Sequence, residues 1–173
     1  MKKWIIDPVH SEIAFKARHL MISTVRGHFN KFEGEITAKD ENLTDAVISF
    51  NADVNSLETR HPDRNGHLLG ADFFDAEKFP KMSFESTSVK RVKDTLEIDG
   101  NLTIKDITKA VSLKAEINGT NTDMYGKKVT AFDLTGKINR QDFGVTWNAV
   151  LETGGVLIGD EVTIEAFIEA QEA

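Results

Sequence analysis

The sequence predicts an all-β protein of about eight antiparallel strands. Three observations predict it. Apolar residues recur with period two in seven separate rows, and a strand places every second side chain on one face. Turn-forming residues separate the rows, and the linkers leave no room for intervening helices. One stretch, His61 to Pro80, departs from the alternation and marks a local exception.

Ile13, Phe15 and Ala17 form the first row, alternating with Glu12, Lys16 and Arg18. Thr24 to Ala38 is strand-like with Gly27 and Gly34 inside it. Glycine within a strand marks a bend or a close approach, and barrel curvature is a natural use for both. Ile48, Phe50, Ala52 and Val54 make the next row. In the exceptional stretch, Leu68, Leu69, Phe73 and Phe74 predict a short helical segment near residues 61–76 that packs as an apolar cap. Pro62 suits a helix start, and Pro80 the end of the whole stretch. Leu96, Ile98, Leu102 and Ile104 alternate around Gly100, followed by Val111, Leu113, Ala115 and Ile117, then Phe132, Leu134 and Ile138. Phe143, Val145, Trp147, Ala149 and Leu151 read as one unbroken strand face, and Val162, Ile164, Ala166 and Ile168 as the last. Asp40–Asn42, Lys93–Thr95, Asn118–Asp123 and Gly154-Gly155 read as connections.

The chain has 173 residues, the length of one domain spanning 1–173, with 40% hydrophobic and 28% charged residues. Eight antiparallel strands in one small domain must deal with their edges, and closing into a barrel removes them. Pattern alone is equally compatible with a solid two-sheet sandwich.

The formal charge is −7, which argues against nucleic acid as a partner, because such binding rests on Lys and Arg neutralising phosphates. There is no cysteine, hence no disulfide framework, thiolate metal site or Cys nucleophile. No apolar run approaches the roughly 18 residues of a membrane helix, so no stable membrane insertion is expected. The opening MKKWIIDPVH lacks the apolar core of a signal peptide. The chain as given is expected in the cytoplasm, or in the periplasm or outside the cell if it is a processed mature form.

No nucleophile elbow, phosphate-binding loop or metalloprotease motif is present. The histidines at 10, 19, 28, 61 and 67 match no metal spacing, so neither metal nor cofactor is expected. His19 shares the parity of the first row; if that row lines an interior, His19 points inward near its end, either as a polar contact at the mouth of a pocket or as a hydrogen-bonded core histidine. Arg60, His61, Arg64 and His67 cluster in the cap. They read either as a cationic rim for a phosphate or carboxylate or as pairs for Asp63, Asp72, Asp75 and Glu77. Arg140 and Asp142 read as a loop ion pair.

Five segments in order resemble the YceI family of bacterial polyisoprenoid-binding proteins, from Trp4 to about Ala170. They are WIIDPVHSEIAFKARHL, VRGHFNKFEGEI, RNGHLLGADFFDAEKFPKMSFES, GNLTIKDITKAVSL and NRQDFGV. The resemblance implies an elongated, lipocalin-like eight-stranded antiparallel barrel with the helical segment near its opening. It implies a hydrophobic cavity that binds a polyisoprenoid or similar long-chain amphiphile without covalent chemistry. Carried across, Phe15, Ile48, Phe50, Phe143, Val145 and Trp147 become cavity walls, with the inward face of each strand still open. His19, Arg64 and His67 match recurring polar positions and are expected near the head group. Two departures stand out. Arg64 is followed by Asn65 where the family often has Asp, and Leu69-Gly70 replaces a polar or basic residue followed by Ser.

The implied function is storage or transport of an isoprenoid lipid, with no catalytic residues. Two alternatives remain at this level: a lipid-modifying enzyme with His19 or His67 as general base, and a filled barrel that binds partners through an apolar patch. Dimerisation through a barrel edge or the cap is left open.

Overall fold

The computed structural model describes residues 1–173. Its strands are β1 (Lys2–Ile6), β2 (Glu12–His19), β3 (Ser23–Phe29), β4 (Phe32–Ala38), β5 (Val47–Asp53), β6 (Leu57–Glu58), β7 (Lys81–Val92), β8 (Thr95–Ile104), β9 (Ile107–Thr122), β10 (Lys128–Asn139) and β11 (Ile158–Glu172). One helix, α1 (Pro62–Leu69), precedes β7.

The strands close into an eight-stranded antiparallel barrel. The eleven strands reduce to eight staves because the first three staves are each broken once. β1 and β2 make one stave, β3 and β4 the next, β5 and β6 the third. The pairings show it: β1 lies on β4 and β2 on β3, while β4 lies on β5 and β3 on β6. β7 to β11 follow as consecutive antiparallel neighbours. Closure comes from β11, whose first part pairs with β2 (Ile164 opposite Phe15) and whose end pairs with β1 (Ile6 opposite Ala170).

The breaks are stitched rather than loose. At the first, Asp7 N–H donates to the Glu169 carbonyl at 2.8 Å, and Glu169 N–H donates to Ser11 Oγ at 2.9 Å. The β3–β4 break rests on the β5–β6 break: Lys31 N–H donates to Ser56 Oγ at 2.9 Å, and Asp53 N–H to the Lys31 carbonyl at 2.9 Å. Buried backbone groups lost from the ladders are thereby satisfied.

Three sequence readings need correction. Residues 143–151 are not a strand. Arg140–Phe143 is a single 3-10 turn, Gly144 ends it in the left-handed region at φ 71°, and the only bridge beyond is Val150 opposite Val156. The carbonyls of Val145 and Trp147 go to the Arg140 guanidinium, at 2.7 and 2.9 Å, instead of to a neighbouring strand. Arg140 therefore does not pair with Asp142. It is buried, spans the carbonyls of Gly159, Val145 and Trp147, and has Asp160 as its nearest carboxylate at 3.6 Å. The segment read as one strand from Thr24 to Ala38 divides into β3 and β4. β7 lacks a clean alternation because a bulge between Ser86 and Ser88 changes the parity between Phe84 and Val89.

The two ends of the barrel differ. One end carries the chain termini and the β4–β5, β7–β8 and β9–β10 turns. There Trp4, Ala38, Leu43, Ala46, Val89 and Ala170 are buried against one another as a solid plug. The other end carries the β2–β3 hairpin, α1 with the segment after it, the β8–β9 turn and the long β10–β11 connection.

Candidate functional site

Alternation sends Phe15, Ala17 and His19 to the inside of β2, opposite Gly27, Val25 and Ser23 of β3. The same rule applies along β8 to β11, so most rows of the sequence pattern face one lumen. The lumen encloses about 420 Å³ and is lined by 39 residues, 34 of them hydrophobic. That volume lies within the range of small-molecule sites, about 300–1,000 Å³. An apolar void of this kind does not hold ordered water well. A filled barrel, one of the sequence-level alternatives, does not describe it.

The five polar lining residues are Arg18, His19, Arg64, His67 and Arg140. All are cationic or imidazole, no carboxylate lines the lumen, and all come from the open end. None of the plug residues lines it, so the cavity is blind at the far end.

Each polar group is positioned differently. Arg64, on α1, donates from Nε to Thr59 Oγ1 at 2.9 Å and from Nη2 to the Thr59 carbonyl. It has no carboxylate partner. Asn65 explains how the missing carboxylate is tolerated: its Oδ1 accepts from Thr59 N–H and Oγ1, and its Nδ2 donates to Glu58. His61 caps α1, its Nδ1 accepting from Arg64 N–H at 3.2 Å. Neither His61 nor Arg60 reaches the cavity wall. Of the expected cap pairs, His67 with Asp72 is formed, Nε2 to Oδ2 at 3.0 Å. The His19 imidazole makes no hydrogen bond, so it offers a free polar edge at the mouth.

His67 also organises the lid of the mouth. Its ring meets Phe73 edge-on with centroids 4.9 Å apart, and Trp147 at 4.8 Å. Phe73 and Trp147 complete the cluster at 5.5 Å. These contacts join the segment around α1 to the β10–β11 connection across the opening. Arg140 holds that connection from beneath. Burial lowers its pKa from the ordinary guanidinium value, and Asp160 partly opposes the shift.

All nine residues singled out from the sequence lie on the cavity wall: Phe15, His19, Ile48, Phe50, Arg64, His67, Phe143, Val145 and Trp147. Sequence reasoning missed the role of Arg140, because no pattern signals a guanidinium that binds backbone carbonyls. It also missed Phe73 as the partner of His67 and Trp147. A third cluster lies outside the cavity. Atoms of Asp7, His10 and Glu169 come within 4.8 Å of one another. Asp7 accepts from Val9 N–H at 2.9 Å and meets His10 Nδ1 at 2.7 Å, so the group is accounted for as a turn that locks the first stave.

Residues 4–170 match the family model described as the YceI-like domain. The chain belongs to the YceI family. A UPF0312 protein of Staphylococcus epidermidis is 38% identical over 170 residues, covering 98% of this chain and 97% of the relative. Among solved structures, Burkholderia cenocepacia BcnA superposes with a TM-score of 0.82 at 22% identity, over 95% of this chain and 98% of that one. A polyisoprenoid binding domain from Saccharophagus degradans, implicated in plant cell wall breakdown, gives 0.70 at 12% identity over 98% of each chain. The last two likenesses establish the fold, and the family match adds that this YceI barrel shares its architecture from end to end.

Proposed function

We propose that this YceI protein binds a polyisoprenoid or a similar long-chain amphiphile, without covalent chemistry, and stores or carries it. The observation that carries the reading is the polarity of the lumen. It is a blind apolar tube whose polar groups all sit at the one open end. A tail enters the tube, and the head group stays among His19, Arg64 and His67. Each methylene moved out of water contributes about 0.8 kcal/mol, less the cost of restraining the ligand. The head-group chemistry follows from charge. Arg64 is unpaired by any carboxylate, and the wall offers cations and imidazoles only, so a phosphate or carboxylate is favoured over an amine. The family membership and the polyisoprenoid-binding neighbour support the ligand class.

The lipid-modifying alternative would place a nucleophile beside His19 or His67. His67 is hydrogen-bonded to Asp72, and His19 has no polar partner.

Native mass spectrometry of the purified protein, with organic extraction and lipid identification, tests the proposal. A discrete added mass resolved as an isoprenoid supports it and fixes chain length and head group. An apo mass together with no uptake in an isoprenoid titration overturns it.

A further inference from the structure

We infer that the β2–β3 hairpin is a docking tip by which the open end meets an anionic lipid bilayer. The inference rests on the carrier reading above for its purpose, and on three independent features of the hairpin for its content.

The first is the turn itself. The connection is Leu20–Ile22, between the paired His19 and Ser23; His19 carbonyl accepts from Ile22 N–H at 3.2 Å, so Leu20 and Met21 are the two central residues of a tight turn within it. Both are in the left-handed region, at φ 54° and 60°. Such turns favour Asn-Gly or Asp-Gly, because few side chains tolerate that conformation. Leucine and methionine here run against the backbone's own preference. A stability role does not explain them, since Leu20, Met21 and Ile22 are 38%, 53% and 80% exposed.

The second is position. Leu20 N–H donates to the Leu157 carbonyl at 2.8 Å, and both Leu157 and His19 line the cavity. The exposed tip is therefore continuous with the cavity wall. Val150, also exposed, bridges to Val156, the residue before Leu157. A lipid tail passing from a bilayer into the lumen would cross this apolar surface without entering water.

The third is charge. Within the hairpin, from Ile13 to Phe29, there is no Asp or Glu, while Lys16, Arg18 and Arg26 are basic, in a chain of net charge −7. Lys16 and Arg26 share Glu165, at 2.7 and 2.6 Å, whereas Arg18, next to His19 on the cavity wall, has no carboxylate partner. An apolar tip on a locally basic hairpin fits an anionic interface, in which apolar insertion and attraction to lipid phosphates act together. The opposite end supplies a contrast. Its exposed Met124 and Tyr125 follow Asp123, at the plugged end of the tube.

The test is sedimentation of the full chain with vesicles of phosphatidylcholine and phosphatidylglycerol, compared with pure phosphatidylcholine. Binding should rise with phosphatidylglycerol and fall with salt. The double variant L20N/M21G restores the turn's preferred residues and removes the apolar tip. It should fold at least as well and bind vesicles at least about tenfold more weakly. M124S/Y125S should bind as the original does. Uptake of anilinonaphthalene sulfonate, measured without vesicles, reads the cavity separately. Equal vesicle binding by L20N/M21G, or none by the original chain, overturns docking, and dye uptake then leaves the carrier reading standing. Vesicle binding without dye or isoprenoid uptake leaves docking standing and removes the carrier reading. A concentration-dependent dimer lost in L20N/M21G, with no vesicle binding, assigns the tip to a second copy and also overturns docking.

Discussion

Phe15 lies flat across Gly27. The two face each other on β2 and β3, and a Cβ on Gly27 would stand 2.4 Å from Phe15 Cζ. The same device recurs where Phe84 covers Gly100, with a Cβ there only 2.3 Å from the ring. Glycine on the inner wall lets a neighbouring ring lie along the wall instead of across the lumen. The tube is open partly because these positions have no side chain.

The two glycines should respond differently to alanine. At Gly27 the nearest atoms belong to the tip of the Phe15 ring, which can swing into the lumen. Gly27→Ala, whose Cβ would also meet the buried Thr59 methyl at 3.0 Å, is expected to cost about 1 kcal/mol, at the low end for overpacking, while narrowing the cavity and weakening ligand binding. At Gly100 the Glu85 carbonyl, a backbone atom, would lie 2.6 Å from the new Cβ. Gly100→Ala is expected to cost about 1–3 kcal/mol. Urea unfolding compared with ligand titration on both variants checks the contrast.

Arg140 replaces a strand neighbour for the β10–β11 connection. Arg140→Met would leave the Gly159, Val145 and Trp147 carbonyls short of donors. Each buried group left unmade costs about 1–3 kcal/mol, so a loss of about 3 kcal/mol or more is expected. Arg140→Lys should recover little, because one ammonium on a flexible stem cannot reproduce the planar fork. Thermal or denaturant unfolding measures both, and Trp147 fluorescence should report loosening at the mouth.

Most of the barrel was legible in the sequence for one physical reason. An apolar lumen lined by alternating residues obeys the same period-two rule as a packed core. That is also why pattern alone could not separate an open barrel from a solid sandwich. Parity grouped Phe15, Ile48 and Phe50 into apolar rows, and the family resemblance made those rows candidate walls without deciding which face turns inward. Phe143, Val145 and Trp147 were legible as wall residues but not as loop. Their alternation describes where side chains point, whereas their backbone bonds go to Arg140, which leaves no trace in hydrophobicity. The parity change at the β7 bulge was invisible for a similar reason.

The Asp7–His10 contact makes part of the stability depend on pH. Asp7 has its pKa lowered, mainly by the hydrogen bond from His10. His10 has its pKa raised, mainly by Asp7 and further by Glu169. For Asp7 the contribution is present above the ordinary carboxylate range and is lost as pH falls through the lowered value. For His10 it is full below the ordinary imidazole value and is lost as pH rises through the raised one. The pair is therefore strongest between about pH 4 and 6.5. His10→Gln is expected to show its largest stability deficit in that window, narrowing towards pH 8. Denaturation midpoints of both proteins across the range test it. A deficit that grows with pH would contradict the assignment.

Ligand length should be set by how far the tube stays open below the mouth. Ala115 on β9 and Ala166 on β11 are buried lining residues near the middle of their strands, both paired with Leu134 of β10. A ring placed there would divide the lumen into a mouth half and a blind half. Ala115→Phe is therefore expected to leave a short isoprenoid such as farnesol bound near its original affinity and to weaken a long polyprenol. Excluding two methylenes from the tube amounts to about a tenfold loss. Ala115 is buried in the core cluster, so the larger ring is also expected to cost about 1–3 kcal/mol of stability, read separately by denaturant unfolding. Titration of short and long isoprenoids against both proteins decides the matter. Equal weakening of the two would place the tail somewhere other than down the axis of the tube.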